Sequence, residues 1–151
     1  MYIFDIDGTL TNPSHRLHLI LNHEGKKTHA PHWNEFLEAA KDDTPIDNMC
    51  RLFRLLQNAG QHVICSTGRR EDQRQMTEEW LEEHDLFPKM ILMRPLGDYR
   101  SDTIVKPEIL ERVFHRHIPD QVVTIFEDRA RVTAAWRALG YHVCQVAEGD
   151  Y

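Results

Sequence analysis

Short apolar runs alternate along this chain with longer stretches in which apolar residues recur every three or four positions. The apolar runs predict five β-strands, at Tyr2–Phe4, His62–Cys65, Met90–Met93, Val122–Phe126 and Tyr141–Val146. Strands that alternate with helices predict right-handed crossovers and a mostly parallel sheet. We therefore expect an α/β fold with a Rossmann-like sheet of about five strands and helices on both faces.

Four helical patterns lie between these strands. The first is predicted to begin with Thr44 as its N-cap and Pro45 in its first turn, and to end at Gly60. The third is predicted to begin at Pro107. Spacing predicts inward-facing side chains on the last three helices at Met76, Trp80, Leu110, Val113, Phe114, Val132, Trp136 and Leu139.

The stretch from Gly8 to Asp43 interrupts this alternation. It is polar and rich in histidine, and one short helical pattern is marked by Trp33, Phe36, Leu37 and Ala40. A segment this long inside a compact domain is usually a functional lid. Because it leaves the sheet just after Asp7, we expect residues 8–43 to form a flap over a site near Asp5, within a single domain of residues 1–151.

Composition narrows the possible functions. The 151 residues carry a formal net charge of -6, which argues against non-specific binding of long nucleic acid but allows a local basic site. No apolar segment is long enough to span a bilayer, and no apolar signal segment follows Met1, so we expect a cytoplasmic protein without membrane association. No obligate protein partner is evident from the sequence. The three cysteines are far apart, which favours reduced, buried thiols.

Polar side chains follow several of the predicted strands. Asp5 and Asp7 follow the first strand, Thr67 follows the second, and the pair Glu127-Asp128 follows the strand at 122–126. In an open parallel sheet ligands bind beyond the carboxyl ends of the strands, so these groups are expected to converge. Clustered carboxylates need a counter-ion to remain ionised, and oxygen-only ligands suit Mg²⁺.

The segment Asp5-Ile-Asp7-Gly-Thr-Leu resembles the first motif of the haloacid dehalogenase (HAD) superfamily of phosphatases. Thr67, Lys106 and the pair Glu127-Asp128 resemble its second, third and fourth motifs. The resemblance implies a HAD-type fold without a large cap domain, in which Asp5 attacks phosphorus and Asp7 is the general acid and base. An extended segment places residues two apart on one face, which agrees with these roles. The metal ligands implied are Asp5, Asp7, Asp128 and Glu127, around Mg²⁺.

A closer resemblance extends over almost the whole chain, to the phosphatase half of phage polynucleotide kinase-phosphatase. The segments that carry it are 66–71, 76–80, 97–102, 105–108, 127–129, 136–137 and 145–151. That family removes 3′-phosphates from DNA and RNA ends. Its functional positions match here at Asp5, Asp7, Arg16, Arg69, Asp102, Lys106 and Asp128. The family has Asp where this chain has Glu127, so an identical metal shell is in question.

The matched side chains have plain physical roles, each with an alternative. Arg16 and Arg69 are expected to grip phosphate oxygens, with Arg16 swinging in on the flap when substrate arrives; the alternative is an exposed salt-bridge partner. Asp102 is expected to hold Lys106 or an arginine by an ion pair. The alternative for Lys106 is that it is a solvated lysine at the start of a helix. Ser66 is the alternative to Thr67 as the second-motif residue.

Three functions remain open from the sequence. The first is a Mg²⁺-dependent phosphomonoesterase that acts through an aspartyl-phosphate and removes 3′-phosphates from polynucleotide ends. The second is a small-molecule nucleotidase or sugar-phosphate phosphatase, which a flap that covers the site would favour. The third, a catalytically silent phosphate-binding module, predicts loss of Asp5 or Asp7, and both are present.

Overall fold

Seven strands form two sheets in the computed structural model, which describes residues 1–21, 32–115 and 118–149. The strands are β1 (Tyr2–Phe4), β2 (Thr11–Asn12), β3 (Thr44–Pro45), β4 (Val63–Arg70), β5 (Ile91–Arg94), β6 (Thr124–Glu127) and β7 (Val143–Gln145). Five of them pair in parallel in the order β5-β4-β1-β6-β7, and β2 pairs antiparallel with β3. This confirms the predicted parallel sheet of five strands.

In the described part of the chain, five α-helices and four short 3₁₀ segments connect the strands. The helices are α1 (Trp33–Glu38), α2 (Asp47–Asn58), α3 (Arg74–Glu83), α4 (Asp102–Phe114) and α5 (Ala130–Ala138). The 3₁₀ segments are Ser14–Leu19, Ala39–Asp42, Glu71–Gln73 and Pro119–Gln121. Among these described elements, no helix has both the length and the apolar character needed to cross a membrane.

Two hydrophobic cores cover the two faces of the parallel sheet. Neighbouring residues of β1 point to opposite faces, so Ile3 lies in one core and Phe4 in the other. Helices α4 and α5 pack on the Ile3 side through residues such as Leu110 and Trp136. Helices α2 and α3 supply buried residues such as Phe53 on the Phe4 side. The expected arrangement of helices on both faces is therefore present.

Two of the predicted helix starts are wrong. Thr44 and Pro45 form β3 instead of opening α2, because they pair with Thr11 and Asn12 and so join the two ends of the flap. Helix α2 then begins at Asp47.

Helix α4 begins at Asp102, not at Pro107, because the Ser101 side chain accepts a hydrogen bond from the Thr103 N–H and caps it. Pro107 lies inside the helix, where it forgoes one backbone hydrogen bond. As a result Lys106 lies in the helix interior. Val113 and Leu139, both predicted to face inward, are 38% and 37% exposed and lie at the edge of the core.

The flap leaves the sheet after β1 and returns through β3. The 3₁₀ segment Ser14–Leu19 and helix α1 belong to it, whereas residues 22–31 lie outside the described part of the chain. The residues described include no large cap domain, as expected for this fold. The boundary of a single domain at 1–151 stays a prediction.

Candidate active site

Four side chains from three elements meet at the carboxyl edge of the parallel sheet. Lys106 of α4 donates one hydrogen bond to Oδ1 of Asp5 at 2.6 Å and another to Oε2 of Glu127 at 2.7 Å. One oxygen from each of Asp5, Glu127 and Asp128 lies within 4.8 Å of the others. All four side chains are buried, with Lys106 only 1% exposed. The alternative of a solvated lysine at this position is therefore wrong.

Asp128 is buried without a hydrogen bond to either carboxylate oxygen within the described part of the chain. The segment after β7 lies directly on it, since the Gly149 N–H donates to the Asp128 carbonyl at 3.2 Å. A Cβ atom on Gly149 would lie 1.9 Å from Asp128 Oδ2. Only glycine fits in that space. A buried carboxylate with two unbonded oxygens is costly unless a cation binds it.

Burial and neighbouring charges shift the pKa values of Asp5, Asp128 and Lys106. Burial raises the pKa of Asp5 to about 7, and the negative charge of Glu127 acts in the same direction. Burial, with the charges of Asp5 and Glu127, raises the pKa of Asp128 to about 9. Burial alone would lower the pKa of Lys106, but Asp5 and Glu127 raise it above its ordinary value. The positive charges near the three carboxylates are Lys106 and Arg129, whose Nε lies 3.9 Å from Glu127 Oε1 and which Asp102 also binds. Carboxylate oxygens are the donors that Mg²⁺ prefers.

The Asp7 side chain accepts hydrogen bonds from two buried arginines. Arg69 Nη2 donates to Asp7 Oδ1 at 2.7 Å, and Arg16 Nη2 donates to the same oxygen at 2.6 Å. Burial alone would raise the pKa of Asp7, but Arg69 and Arg16 hold it well below its ordinary value. Asp7 is therefore an ionised carboxylate in this structure. Its assignment as a metal ligand stays a prediction.

A second carboxylate, Asp43 at the end of the flap, holds the same two arginines. Arg16 donates to it through Nε at 2.7 Å and Nη2 at 2.6 Å, and Arg69 Nη2 lies 3.3 Å from its Oδ2. Trp80 fixes Asp43 in turn by donating to its backbone carbonyl at 2.8 Å. The flap is thereby tied to the base of the site through charged hydrogen bonds.

Arg16 already lies inside the site, contrary to the expectation that it swings in with substrate. It is 1% exposed, and its guanidinium lies 4.2 Å from the centre of the Phe36 ring. It also donates to the Phe36 carbonyl at 3.2 Å. The alternative of exposed salt-bridge partners is wrong for both arginines, because Arg69 is only 2% exposed.

Asp102, at the start of α4, binds Arg94 and Arg129 by short charged hydrogen bonds. The structure thus supports its predicted pairing with an arginine and shows no hydrogen bond from it to Lys106 in the described part of the chain. A Cβ atom on Gly68 would lie 2.9 Å from Asp102 Oδ1, so the Asp102 carboxylate packs against the backbone that follows Thr67. Asp102 therefore contacts both Gly68, which follows Thr67 of the second motif, and Arg129, which follows the fourth-motif pair.

Thr67 lies in β4, beyond the predicted end of that strand, and is 1% exposed. Its hydroxyl accepts a hydrogen bond from the Arg69 N–H at 3.1 Å. This contact shapes the backbone that presents Arg69 to Asp7. The neighbouring Ser66 hydroxyl is buried and has no hydrogen-bond partner among the residues described. A catalytic role for Thr67 stays a prediction.

A cavity of about 970 Å³ opens from Asp5 and Asp7 to the surface. One wall is apolar and belongs to the flap, with Ile20, Trp33, Phe36 and Leu37. The remaining wall is rich in arginine, at Arg69, Arg70, Arg94, Arg100, Arg129 and Arg131. The acidic residues that line it are Asp5, Asp7, Asp98 and Asp102.

Three residues of this site were not predicted from the sequence. Asp43 stands beside Asp42 in a polar segment, and no local signal distinguishes the two. No local signal in the sequence marks Arg94, at the end of β5, either. Arg129 had a signal, since it directly follows Glu127-Asp128 at a strand end, where ligand-binding residues collect in such sheets.

Comparison with known proteins agrees with this geometry. A family model for the phosphatase domain of the polynucleotide kinase PNKP matches residues 1–151. A chain of the Pnkp1/Rnl/Hen1 complex is 27% identical with a TM-score of 0.74, and the match covers 99% of this chain and 46% of that chain. The present chain thus spans less than half the length of that relative.

More distant structures share the fold. A HAD hydrolase of family IA, variant 3, from Entamoeba histolytica HM-1:IMSS is 14% identical with a TM-score of 0.66, over 94% of this chain and 81% of that chain. The class C acid phosphatase from Bacillus anthracis with tungstate bound is 15% identical with a TM-score of 0.66, over 99% of this chain and 67% of that chain. With the family match over its whole length, the chain belongs to the HAD-type family of PNKP phosphatase domains.

Proposed function

We propose that this chain removes 3′-phosphates from polynucleotide ends in a Mg²⁺-dependent reaction in which Asp5 is the nucleophile. The observation that carries the proposal is the buried contact between Lys106 and Asp5 at 2.6 Å, beside the carboxylates of Glu127 and Asp128. A lysine so placed keeps Asp5 oriented, and it supplies positive charge where a phosphoryl group has to approach a carboxylate.

The reaction proceeds in two steps at Asp5. A carboxylate oxygen of Asp5 attacks phosphorus while the ester P–O bond breaks, which leaves an aspartyl-phosphate and releases the nucleoside hydroxyl. Water then attacks the phosphorus of the aspartyl-phosphate while the P–O bond to Asp5 breaks, which releases inorganic phosphate and regenerates the Asp5 carboxylate. Asp7, two residues along, is ionised while Arg16 and Arg69 hold it, so it takes up a proton from solvent once the substrate phosphate displaces the two arginines. It then gives this proton to the leaving oxygen in the first step and accepts a proton from water in the second.

The acidic cluster fits a divalent cation. Asp5 and Asp128 are the ligands that we assign to Mg²⁺, because both buried oxygens of Asp128 lack a hydrogen bond to any residue that the structure describes. Glu127 already accepts hydrogen bonds from Lys106 and from the Arg129 N–H. We therefore assign to Glu127 the role of orienting Lys106, and it takes part in metal binding only indirectly. Bound Mg²⁺ would supply positive charge against the oxygens of the transferring phosphate.

Arg69 and Arg16 are assigned to the phosphate. Guanidinium groups bind phosphate oxygens in the same geometry in which they bind carboxylates. An arriving phosphate therefore competes with Asp7 for the two arginines, which Asp43 continues to hold. This competition provides a physical link between substrate binding and the release of Asp7 for proton transfer.

The substrate assignment rests on charge. The chain as a whole carries a formal charge of -6, yet the cavity is lined by more arginines than acidic residues. The guanidinium groups along this wall, of which Arg131 has no carboxylate partner in the described part of the chain, favour a ligand with several phosphates over one with a single phosphate. A matched chain belongs to the Pnkp1/Rnl/Hen1 RNA repair complex, which favours an RNA end.

A nucleotidase is the second candidate, because Asp5 is only 3% exposed and the flap forms one wall of the cavity. A covered site suits a free mononucleotide.

Phosphate release separates the two candidates. It is measured on a 3′-phosphorylated oligonucleotide, on 3′- and 5′-mononucleotides and on a sugar phosphate, each at several salt concentrations and with Mg²⁺ or EDTA. We expect the oligonucleotide to be preferred, its advantage to decrease with salt, and EDTA to abolish release. Equal or faster release from mononucleotides, without a salt effect, would establish the nucleotidase.

A further inference from the structure

A loop between β5 and α4 presents an aromatic ring at the mouth of the cavity. Tyr99 is 87% exposed and lines the same cavity as Asp5. A single exposed apolar side chain is ordinary on a protein surface. Tyr99 differs because its loop is held on both sides and because arginines surround it.

Hydrogen bonds fix the backbone on both sides of Tyr99. Arg94 Nη1 donates to the carbonyl of Asp98 at 2.9 Å and to that of Arg100 at 2.8 Å. The Arg100 guanidinium in turn binds Asp98 at 2.8 Å and Glu108 at 2.7 Å. The backbone that carries the ring is therefore pre-organised, and little backbone conformational entropy is lost when a ligand binds there.

The same arginine connects this loop to the reaction centre. Arg94 Nε donates to the Gly68 carbonyl at 3.1 Å, and its Nη2 binds Asp102. Asp102 also binds Arg129, which directly follows Asp128. These contacts fix the separation between Tyr99 and the residues that would hold the phosphate. The backbone that carries Tyr99 is thus held in place relative to the proposed reaction centre.

Exposure along the cavity indicates the order in which a strand would occupy it. Asp5 is almost fully buried, Trp33 and Leu37 of the flap wall are half-buried, and Tyr99 is exposed at the outside. Arg131 is exposed on the cavity rim and forms no ion pair with a carboxylate in the described part of the chain. A terminal nucleoside therefore fits against the flap wall, and the ring lies beyond it.

We infer that Tyr99 stacks on the base of the nucleotide that precedes the 3′-terminal one, and that Arg131 lies beside the phosphodiester that joins the two. This inference rests on the proposed function and adds to it a subsite for a second nucleotide. Base stacking on an aromatic ring tolerates any base, so the subsite would favour longer strands without selecting a base sequence.

The test compares kcat/KM for a nucleoside 3′-phosphate, a 3′-phosphorylated dinucleotide and a 3′-phosphorylated hexanucleotide. Wild type, Tyr99→Ala, Tyr99→Trp and the control Phe87→Ala are assayed; Phe87 is a 53% exposed aromatic residue that does not line the cavity. We expect Tyr99→Ala to lose about 5- to 100-fold on both longer substrates and to keep wild-type activity on the mononucleotide. Tyr99→Trp and Phe87→Ala should resemble wild type on all three.

Two results would overturn the inference and leave the proposed function intact. One is an unchanged dinucleotide rate in Tyr99→Ala, and the other is an equal loss on the mononucleotide and the dinucleotide. A wild-type enzyme that does not prefer the dinucleotide to the mononucleotide would instead contradict the proposed function, and the inference with it.

Discussion

Lys106 Nζ lies 2.6 Å from Asp5 Oδ1, although the two residues are 101 positions apart in the chain. Their contact depends on the parallel sheet, which brings the end of β1 beside the helix that follows β5. It also depends on Glu127, which accepts the second hydrogen bond of the same ammonium group. The nucleophile that we propose is thus held by Lys106 of the third motif, which Glu127 of the fourth motif holds in turn.

Replacement of Lys106 by Met should damage both activity and stability. Removal of one partner from a buried ion pair leaves uncompensated charge, so we expect the free energy of unfolding to fall by about 3–5 kcal/mol. Loss of a charge that faces the phosphate should reduce kcat/KM by at least about 100-fold. Urea unfolding and phosphate release measure the two effects, with the exposed Lys89→Met as control. Activity within about threefold of wild type would contradict this role.

Replacement of Gly149 by Ala should weaken metal binding. The added Cβ would lie 1.9 Å from Asp128 Oδ2 and displace that carboxylate. Changes of this kind beside a metal site typically cost about 10- to 100-fold in affinity, and the rise in Tm on addition of Mg²⁺ measures it. Gly60→Ala is the control, because Gly60 has a φ of +70° and no atom within 4 Å of a new Cβ. Gly60→Ala should lower Tm through backbone strain and keep the rise in Tm on addition of Mg²⁺. An unchanged rise in Gly149→Ala would refute the assignment of Asp128 as a metal ligand.

Asp43 offers a test of the two buried arginines. Asp43→Asn removes the charge that holds Arg16 and Arg69, so we expect unfolding free energy to fall by about 3 kcal/mol. Because the phosphate-binding groups lose their anchor, kcat/KM should fall on the order of 10- to 100-fold. The neighbouring Asp42→Asn is a matched control, since Asp42 is exposed. Equal unfolding free energies and equal kcat/KM values for Asp43→Asn and Asp42→Asn would show that Asp43 does not anchor the two arginines.

Asp102 should contribute to stability in a pH-dependent way. Burial alone would raise its pKa, but Arg129, Lys106 and Arg94 hold the pKa well below its ordinary value. A depressed pKa in the folded state stabilises the protein above the unfolded value of about 3.9, and this contribution is lost as the pH falls toward the folded value.

The difference in unfolding free energy between wild type and Asp102→Asn should therefore be largest near neutral pH and decrease as the pH falls below about 4. Urea titrations at several pH values measure it, with the exposed Asp120→Asn as control. A difference that does not change with pH would rule out the charged form of Asp102 as its source.

Much of the fold and of the acidic cluster was predictable from the sequence. Strands such as β1 and β6 are marked by short apolar runs, and the polar residues after them, Asp5 and Asp128, converge because parallel strands end at one edge. The position of Lys106 followed from motif resemblance, and its burial in the interior of α4 did not, because the pattern placed the helix start at Pro107.

The arginine side of the site was less predictable. Asp43 has a local sequence like that of Asp42, and it becomes important only when the flap folds back through β3 and places it beside Arg16. The direction of the Asp7 side chain depends likewise on two arginines that are distant in sequence. Contacts of this kind arise from tertiary packing, and local periodicity contains no information about them.

The central claim is that Asp5 is the nucleophile of a phosphomonoesterase, and phosphate release by Asp5→Asn tests it most directly. The measurement uses a 3′-phosphorylated oligonucleotide with Mg²⁺ under single-turnover conditions, and Asp120→Asn is the control. Asn cannot form the acyl-phosphate, so we expect release to fall by at least about 1000-fold while the control keeps wild-type activity. Release from Asp5→Asn at the wild-type rate would contradict the account.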